Sequence, residues 1–500
     1  MSFLLEKKIY IFILSSLLIV VSIFGNHETP IKQLFYDFEF FKILNILLLN
    51  NDIFRPPDTS LRFAIFIISF SLLLSSFFIE SRSNINSPKI FSRLIIFLIS
   101  IFFITLLITD DIYNISALML FISSVFYSIY YSKKRYQKNE IILLGAYVLI
   151  FIYPFYNSLI HLSSLSELDN YLRFLFVIPI YVTLREINIK LHHLLFMFGL
   201  SSLTAGLFAI YQYILLNSPV TGYSSSTSVY ASIILFFALV SLLSISQFNN
   251  KRTRYFFIVS FSLGLIGWML TGQRGLFLII IFFIVYLLFS KSKSIAIVEK
   301  KPLGLISVIL LSFLLVSPVF DRITNTLDST YNYLIDDSGH HWRHKDSIVP
   351  RISIWKASII MIKENNLYGV GLNNFNANLE EQILQGNINP IRQTLKNKSA
   401  GMNHAHNQYL DIYAKTGVFG FITLLLFIYS HIKFFINGTT SNKSDNNFVS
   451  LLGMLSICYF SIIMFFQTFL AHQQLILFMS FILIILAAIK SNICLRGSKK

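Results

Sequence analysis

The sequence predicts an all-α, polytopic membrane protein of about 12–14 transmembrane helices, with one large, partly helical loop outside the bilayer. Three observations predict it. The 500 residues are 55% hydrophobic and only 13% charged, where a soluble domain carries roughly 25% charged residues. Apolar runs of about 16–22 residues recur along the chain, each long enough to cross a hydrocarbon core of about 30 Å. Finally, Lys and Arg collect in alternate loops, the pattern that cytoplasmic loops follow.

In order, the spans fall at 9–24, 61–79, 94–109, 112–131, 141–158, 174–187, 193–215, 227–247, 255–272, 275–291, 303–319, 417–436, 449–470 and 473–489. The sixth is short for a full crossing. The first has no small-residue cleavage site after it and reads as a retained span. An even count puts both ends on one side, and "EKK" at 6–8 and "RGSKK" at 496–500 place them in the cytoplasm. The loops "SKKRYQK" (132–138), "NNKRTR" (249–254) and "KSKSIAIVEKK" (291–301) then face inward. The loops "TDD" (109–111), "HLSSLSELDN" (161–170) and "NSPVTGYSSSTS" (217–228) face outward and hold no Lys or Arg. This distribution accounts for the net charge of +16 through membrane topology rather than nucleic-acid binding. Cys458 lies in an apolar run and Cys494 in the basic tail, and neither position suits an exported disulfide.

The chain divides into spans over 1–319, a polar outward loop over 320–416, and the last spans with a cytoplasmic tail over 417–500. A loop of that length generally has its own structure and task. Ile352, Trp355, Ile359 and Ile362 recur at helical spacing within it. No internal repeat is visible, so the inverted-repeat signature of transporters is missing.

Three arginines stand on the outward side, against the charge rule: Arg274 in "TGQRG", Arg173 after "LDNYL", and Arg351 at the head of the loop's amphipathic segment. Each reads either as an interfacial anchor or as a ligand for an anion. Arg274 sits between Gly272 and Gly275, with no acid near it in sequence, and a guanidinium forks two hydrogen bonds onto phosphate.

The stretch "HAHNQYLDIYAKTGVFG" (404–420) ends the loop. Residues 406–415 read as a short helix with Gly417 at its C-terminal left-handed position. A histidine at a helix N-terminus is held neutral by the dipole, so His406 reads either as a cap or as a base. Asp411 and Tyr409 are candidates to orient an imidazole or a substrate, at positions the sequence alone does not fix. His404 and His406, with His340, His341 and His344 upstream, also form a candidate metal set. It lacks supporting carboxylates or cysteines, so no metal and no cofactor are expected.

These residues resemble the bacterial O-antigen ligase family, with the related O-antigen polymerases and protein O-oligosaccharyltransferases. The signature is His, then Asn, Ser or Gln, nine residues, Gly, two residues, and Gly, Thr or Tyr. His406, Asn407, Gly417 and Gly420 fit that spacing. "TGQRG" resembles the family's outer arginine turn, with Gln273 in place of the commoner Ser. "RISIW" and "GVGLNNF" (369–375) resemble its loop helix and Gly-x-Gly turn, and "LDNYLRF" resembles a further segment.

The resemblance covers about 140–490 and implies a GT-C-like glycosyltransferase of the inner membrane with its active site facing the periplasm. It implies transfer of polysaccharide from undecaprenyl diphosphate to a sugar hydroxyl of the lipid A core, metal-independent and inverting, in lipopolysaccharide biosynthesis. His406, Arg274 and Arg351 are then the catalytic candidates. Arg173, Asn407, His404 and Tyr409 are the substrate-binding candidates. The alternatives are an O-antigen polymerase using the same donor, a protein O-oligosaccharyltransferase, and a polysaccharide transporter. A transporter calls for polar residues in mid-span and no large folded loop.

Overall fold

The structure is a computed structural model that describes residues 87–131, 136–163, 168–187, 189–273, 275–277, 279, 280, 282, 348–388, 403–436 and 444–497. Among these residues the chain is helical and contains no strand. The helices are α1 Ser87–Thr105, α2 Ile112–Tyr131, α3 Lys138–Ile160, α4 Asp169–Glu186, α5 Leu191–Ile214, α6 Thr227–Ser244 and α7 Lys251–Leu270. In the polar loop and beyond come α8 Ile348–Glu364, α9 Phe375–Leu384, α10 Gln408–Ile436, α11 Ser444–Ile463 and α12 Gln473–Gly497. Two compact units are present. The described part of one holds residues 87–97 and 118–126, and the other holds 98–117 and everything described from 127 onward. All that follows concerns the second.

Eight helices are long and apolar enough to cross a membrane: α2, α3, α5, α6, α7, α10, α11 and α12. They match eight of the expected spans. α4, the short sixth span, carries Asp169, Arg173, Arg185 and Glu186 and is not among them. The expected spans at 9–24, 61–79 and 303–319, and most of 275–291, lie outside the described residues. One expected span is corrected. The run 449–470 is helical only to Ile463, and residues 464–472 form a turn whose last part is one turn of 3₁₀ helix, Phe469–Ala471. Its Phe-rich composition reads as a continuing span, but the Gln408 side chain supplies a polar partner for the backbone where it has left the helix (Leu470 N–H donates to Gln408 Oε1 at 2.7 Å).

α6 and α12 are apolar on all sides and buried along most of their length, as expected for central helices. α5, α6 and α7 pack closely through small residues. A Cβ on Gly206 would strike the Leu263 carbonyl, and one on Gly264 would strike Ser202 Oγ. Hydrophobic burial cannot drive helices together in lipid, so such close backbone approach and interhelical hydrogen bonds do so. Ser202 Oγ donates to Ser260 O at 2.8 Å.

Buried charge gathers at the end where α3 begins and α4, α10 and α12 finish. Arg185 pairs with Glu140 at 2.7 Å, both nearly inaccessible, and Tyr181 Oη donates to the same carboxylate at 2.7 Å. Lys490 Nζ donates to the Phe434 and Phe435 carbonyls at 3.0 and 2.6 Å, satisfying the last carbonyls of α10. These groups are paired among themselves and staple helix ends.

The opposite end carries the described residues of the segment 348–416. Its core is Ile354, Ala357 and Met361 of α8, Phe375 and Leu379 of α9, with Val370, Ile388, Ala405 and Ala414. The helix expected at Ile352–Ile362 is present, but its buried face is 354, 357, 358 and 361, and Ile359 is 46% exposed. Apolar residues occur at nearly every azimuth of α8. The side that packs is the one whose small Ala357 and Ser358 let α10 approach.

Candidate functional site

The site forms where the loop 365–374 meets the start of α10. Val370 N–H donates to Ala414 O and Gly371 N–H to Lys415 O, both at 2.9 Å, and Val418 N–H donates to Asn366 O at 2.8 Å. The two segments therefore lie backbone to backbone, which glycine permits. A Cβ on Gly369 would strike the Lys415 backbone, and one on Gly417 would strike the Leu367 carbonyl. Gly417 breaks α10 at φ 71°, ψ −170°. This is not the left-handed cap that the sequence suggests but a region open essentially to glycine alone. Gly420, one turn on, leaves room for Tyr153, whose Oη donates to Thr416 O at 2.9 Å. The motif's glycine spacing thus encodes a close crossing of the Gly-x-Gly turn over the α10 break.

Gly417→Ala should accordingly lower stability by at least about 1–3 kcal/mol from strain alone, with collision added. Gly386→Ala, also at positive φ but facing open space, should lower the melting temperature less. Equal melting temperatures for the two variants would show that the crossing does not matter.

The histidine stretch is pinned from both sides. Ala405 N–H donates to Asp411 Oδ1 at 2.9 Å, and Trp355 Nε1–H donates to Ala405 O at 2.9 Å. His404 and His406 flank this fixed residue, and their rings meet edge to face with centroids 4.4 Å apart. His406 has φ +50°, which is uncommon outside glycine and costs of order 1–3 kcal/mol. Asn407 then caps α10, its Oδ1 accepting from Tyr409 N–H at 3.0 Å and Leu410 N–H at 3.2 Å. The helix begins at Gln408 rather than at 406.

The structure therefore distributes the expected site residues unevenly. His404, His406 and Arg351 come together. Asn407 is buried and its side-chain oxygen is committed to the cap. Tyr409 Oη donates to Ser461 O at 2.9 Å and its ring packs on Phe465, so it ties α10 to α11. Asp411 holds Ala405 and pairs with Lys415 at 3.1 Å; its charge acts on His404, not on His406. Arg173 pairs with Asp169 at 2.6 Å, while its Nε is buried with no hydrogen-bond partner. Arg274 and the upstream histidines 340, 341 and 344 lie outside the described residues. Gly275, beside Arg274, stands against Phe466 of the 464–472 turn.

Electrostatics favour a neutral imidazole cluster beside the positive charge of Arg351. Burial, then the neighbouring His404, Arg351 and His472, pull His406 down to about 3. His404 is lowered by burial in spite of Asp411. Arg351 is also lowered by burial, and it forms no ion pair among the described residues. A half-buried guanidinium without an acid is the condition an anionic ligand relieves. No group of three or more His, Cys, Asp or Glu among the described residues is arranged to hold a metal.

His472 was not singled out by the sequence reading. Its ring centroid lies 6.2 Å from that of His404, and Ser225 Oγ is 3.0 Å from its Nδ1. The available signal was "AHQQ", a histidine and two amides directly before the last span, hidden by extending the previous span to 470.

Comparison with known proteins matches residues 259–425 to the O-antigen ligase family. The chain is also similar to a Haemophilus influenzae protein described as "Uncharacterized protein", 25% identical over 387 residues, covering 75% of this chain and 93% of that one.

Proposed function

From a chain whose residues 259–425 are those of the O-antigen ligase superfamily, we propose a lipid-linked glycan ligase acting at the periplasmic face of the inner membrane. It moves polysaccharide from undecaprenyl diphosphate to a sugar hydroxyl of the lipid A core. The observation that carries this reading is Arg351, without an ion pair among the described residues, acting on His406 at one end of the helices, beside the crossing of the Gly369–Gly371 turn over Gly417. A lipid carrier lying in the bilayer would present its diphosphate at such a helix end.

The step balances simply. The acceptor oxygen attacks the anomeric carbon as the bond from that carbon to the phosphate oxygen breaks. Undecaprenyl diphosphate leaves with the electron pair, and the hydroxyl proton passes to His406. One displacement inverts the anomeric centre. Arg351 and Arg274 neutralise the charge that grows on the leaving group, which is where preorganised donors lower a barrier most. Arg173 supports the same anion. The arginines fill the role that a cation fills in metal-assisted transfer, so transfer should continue in excess EDTA.

Glycan analysis after deletion of the gene tests the reading. Loss of polymer from the lipid A core with polymer retained on the carrier is the expected result. A core bearing one repeat unit would make it a polymerase instead. Orientation has its own test. A cysteine at Asn387 should react with an impermeant thiol reagent once the outer membrane alone is permeabilised, and reaction only after lysis would reverse the topology.

A further inference from the structure

The turn between the last two spans is built into the site as firmly as the histidine stretch. Gln408 N–H donates to Met464 O at 2.7 Å, and Leu470 N–H returns to Gln408 Oε1 at 2.7 Å. The 464–472 turn thus buttresses the first residue of α10 and delivers His472 to the open side of His404. It also reaches the other arginine. Gln473 Nε2 donates to Asp169 Oδ2 at 3.2 Å, the same oxygen that Arg173 Nη2 takes at 2.6 Å, and Asn170 Nδ2 donates to Ala471 O at 3.4 Å. The histidines therefore form an arc with Arg351, whose charge acts on His406, at one end, and at the other Gln473, the residue after His472, which shares the Asp169 carboxylate with Arg173. Two nitrogens near this arc, His404 Nδ1 and Arg173 Nε, are buried with no hydrogen-bond partner among the described residues, although buried polar groups are nearly always satisfied.

We propose that His472 is a substrate-binding residue of this site, donating Nε2–H to the diphosphate of the polyprenyl donor. The proposal rests on the ligase reading above. Ser225 Oγ, from the outer loop before α6, lies 3.0 Å from Nδ1; in the proposed tautomer the hydroxyl donates to Nδ1 and the ring proton sits on Nε2. The hydroxyl is thus a positioning group for the imidazole. Burial and the neighbouring His404 lower the His472 pKa to about 4, so the ring is a neutral donor at physiological pH. A neutral N–H suits a diphosphate flanked by guanidiniums, because it adds a directed hydrogen bond without a further buried charge to solvate. His472 lies outside the segment matched to the family, so this contact would belong to the chain's own last loop.

The test uses the full-length protein in lipid nanodiscs and measures binding of undecaprenyl diphosphate and undecaprenyl monophosphate, with melting temperature as the folding control. His472→Ala should weaken diphosphate binding on the order of 10- to 100-fold, the loss expected for one hydrogen bond to a charged group. It should weaken monophosphate binding less, so the preference for diphosphate shrinks. His472→Gln keeps an N–H donor near the Nε2 position and should recover most of the affinity, and Ser225→Ala should show an intermediate loss. A merely structural histidine would lower both affinities together and the melting temperature with them, and that result would overturn the proposal. So would an unchanged diphosphate preference in His472→Ala. If the unaltered protein binds no polyprenyl diphosphate, the ligase reading falls first and takes this inference with it.

Discussion

His406→Ala should lose about 10²–10⁴ in turnover, the range general-base catalysis supplies, while still binding the lipid-linked donor. The cause is local. Ala405 is clamped by Asp411 and Trp355, so truncation at 406 leaves the backbone held and removes only the imidazole. The pH profile is the sharper measurement. An unperturbed histidine titrates near 6.5, and a base there would lose activity as pH falls through that value. Burial and the charges of His404, Arg351 and His472 bring His406 to about 3. The acid limb of kcat/KM, which reports the free enzyme, should therefore lie well below 6.5. Bound diphosphate places negative charge beside the ring and raises its pKa, so the acid limb of kcat should lie higher than that of kcat/KM.

The same shift bears on stability with a definite sign. The folded-state pKa is lowered, so the unfolded chain binds more protons below pH 6.5 and the folded site loses stability from there downward. Initial rates must therefore be read beside melting temperatures at each pH. A kcat/KM limb at 6.5, or full turnover in His406→Ala, would remove His406 as the base.

Arg351→Ala should lose about 10²–10³ in rate, the cost of one donor at a developing negative charge. Its stability should hold or rise. The guanidinium is half-buried, shifted by burial and without an ion pair among the described residues, so removing it relieves a desolvated charge, in keeping with sites that trade stability for function. Arg351→Lys should restore activity only partly, since an ammonium cannot reproduce the fork. Arg185→Ala is the contrasting case. It strands Glu140 in a buried pair and should cost stability, roughly 3–5 kcal/mol. A loss of folded protein in Arg351→Ala comparable to that in Arg185→Ala would make Arg351 a structural residue and remove it from diphosphate binding. Arg274→Ala should match Arg351→Ala in rate.

Most helices were legible in the sequence because a bilayer demands long apolar runs and sorts basic loops to one side. α2, α3, α5, α6, α7, α10 and α12 lie where hydropathy and loop charge place them. The candidate stretch stood out in the sequence too, since His406, Asn407, Gly417 and Gly420 sit at fixed spacing in one segment. What that spacing does was not legible. Only the folded chain shows that Gly417 opens α10 so that the 365–371 segment can pair with it. Only the folded chain assigns Asn407 to the cap, Tyr409 to α11 and Asp411 to Ala405. The buried face of α8 and the membership of His472 were likewise decided by tertiary packing. Apolar periodicity is a property of one segment. Which small residue admits a neighbour, and which polar group meets a partner 62 residues away, as Gln408 meets Leu470, are properties of pairs of segments that one segment's pattern does not contain.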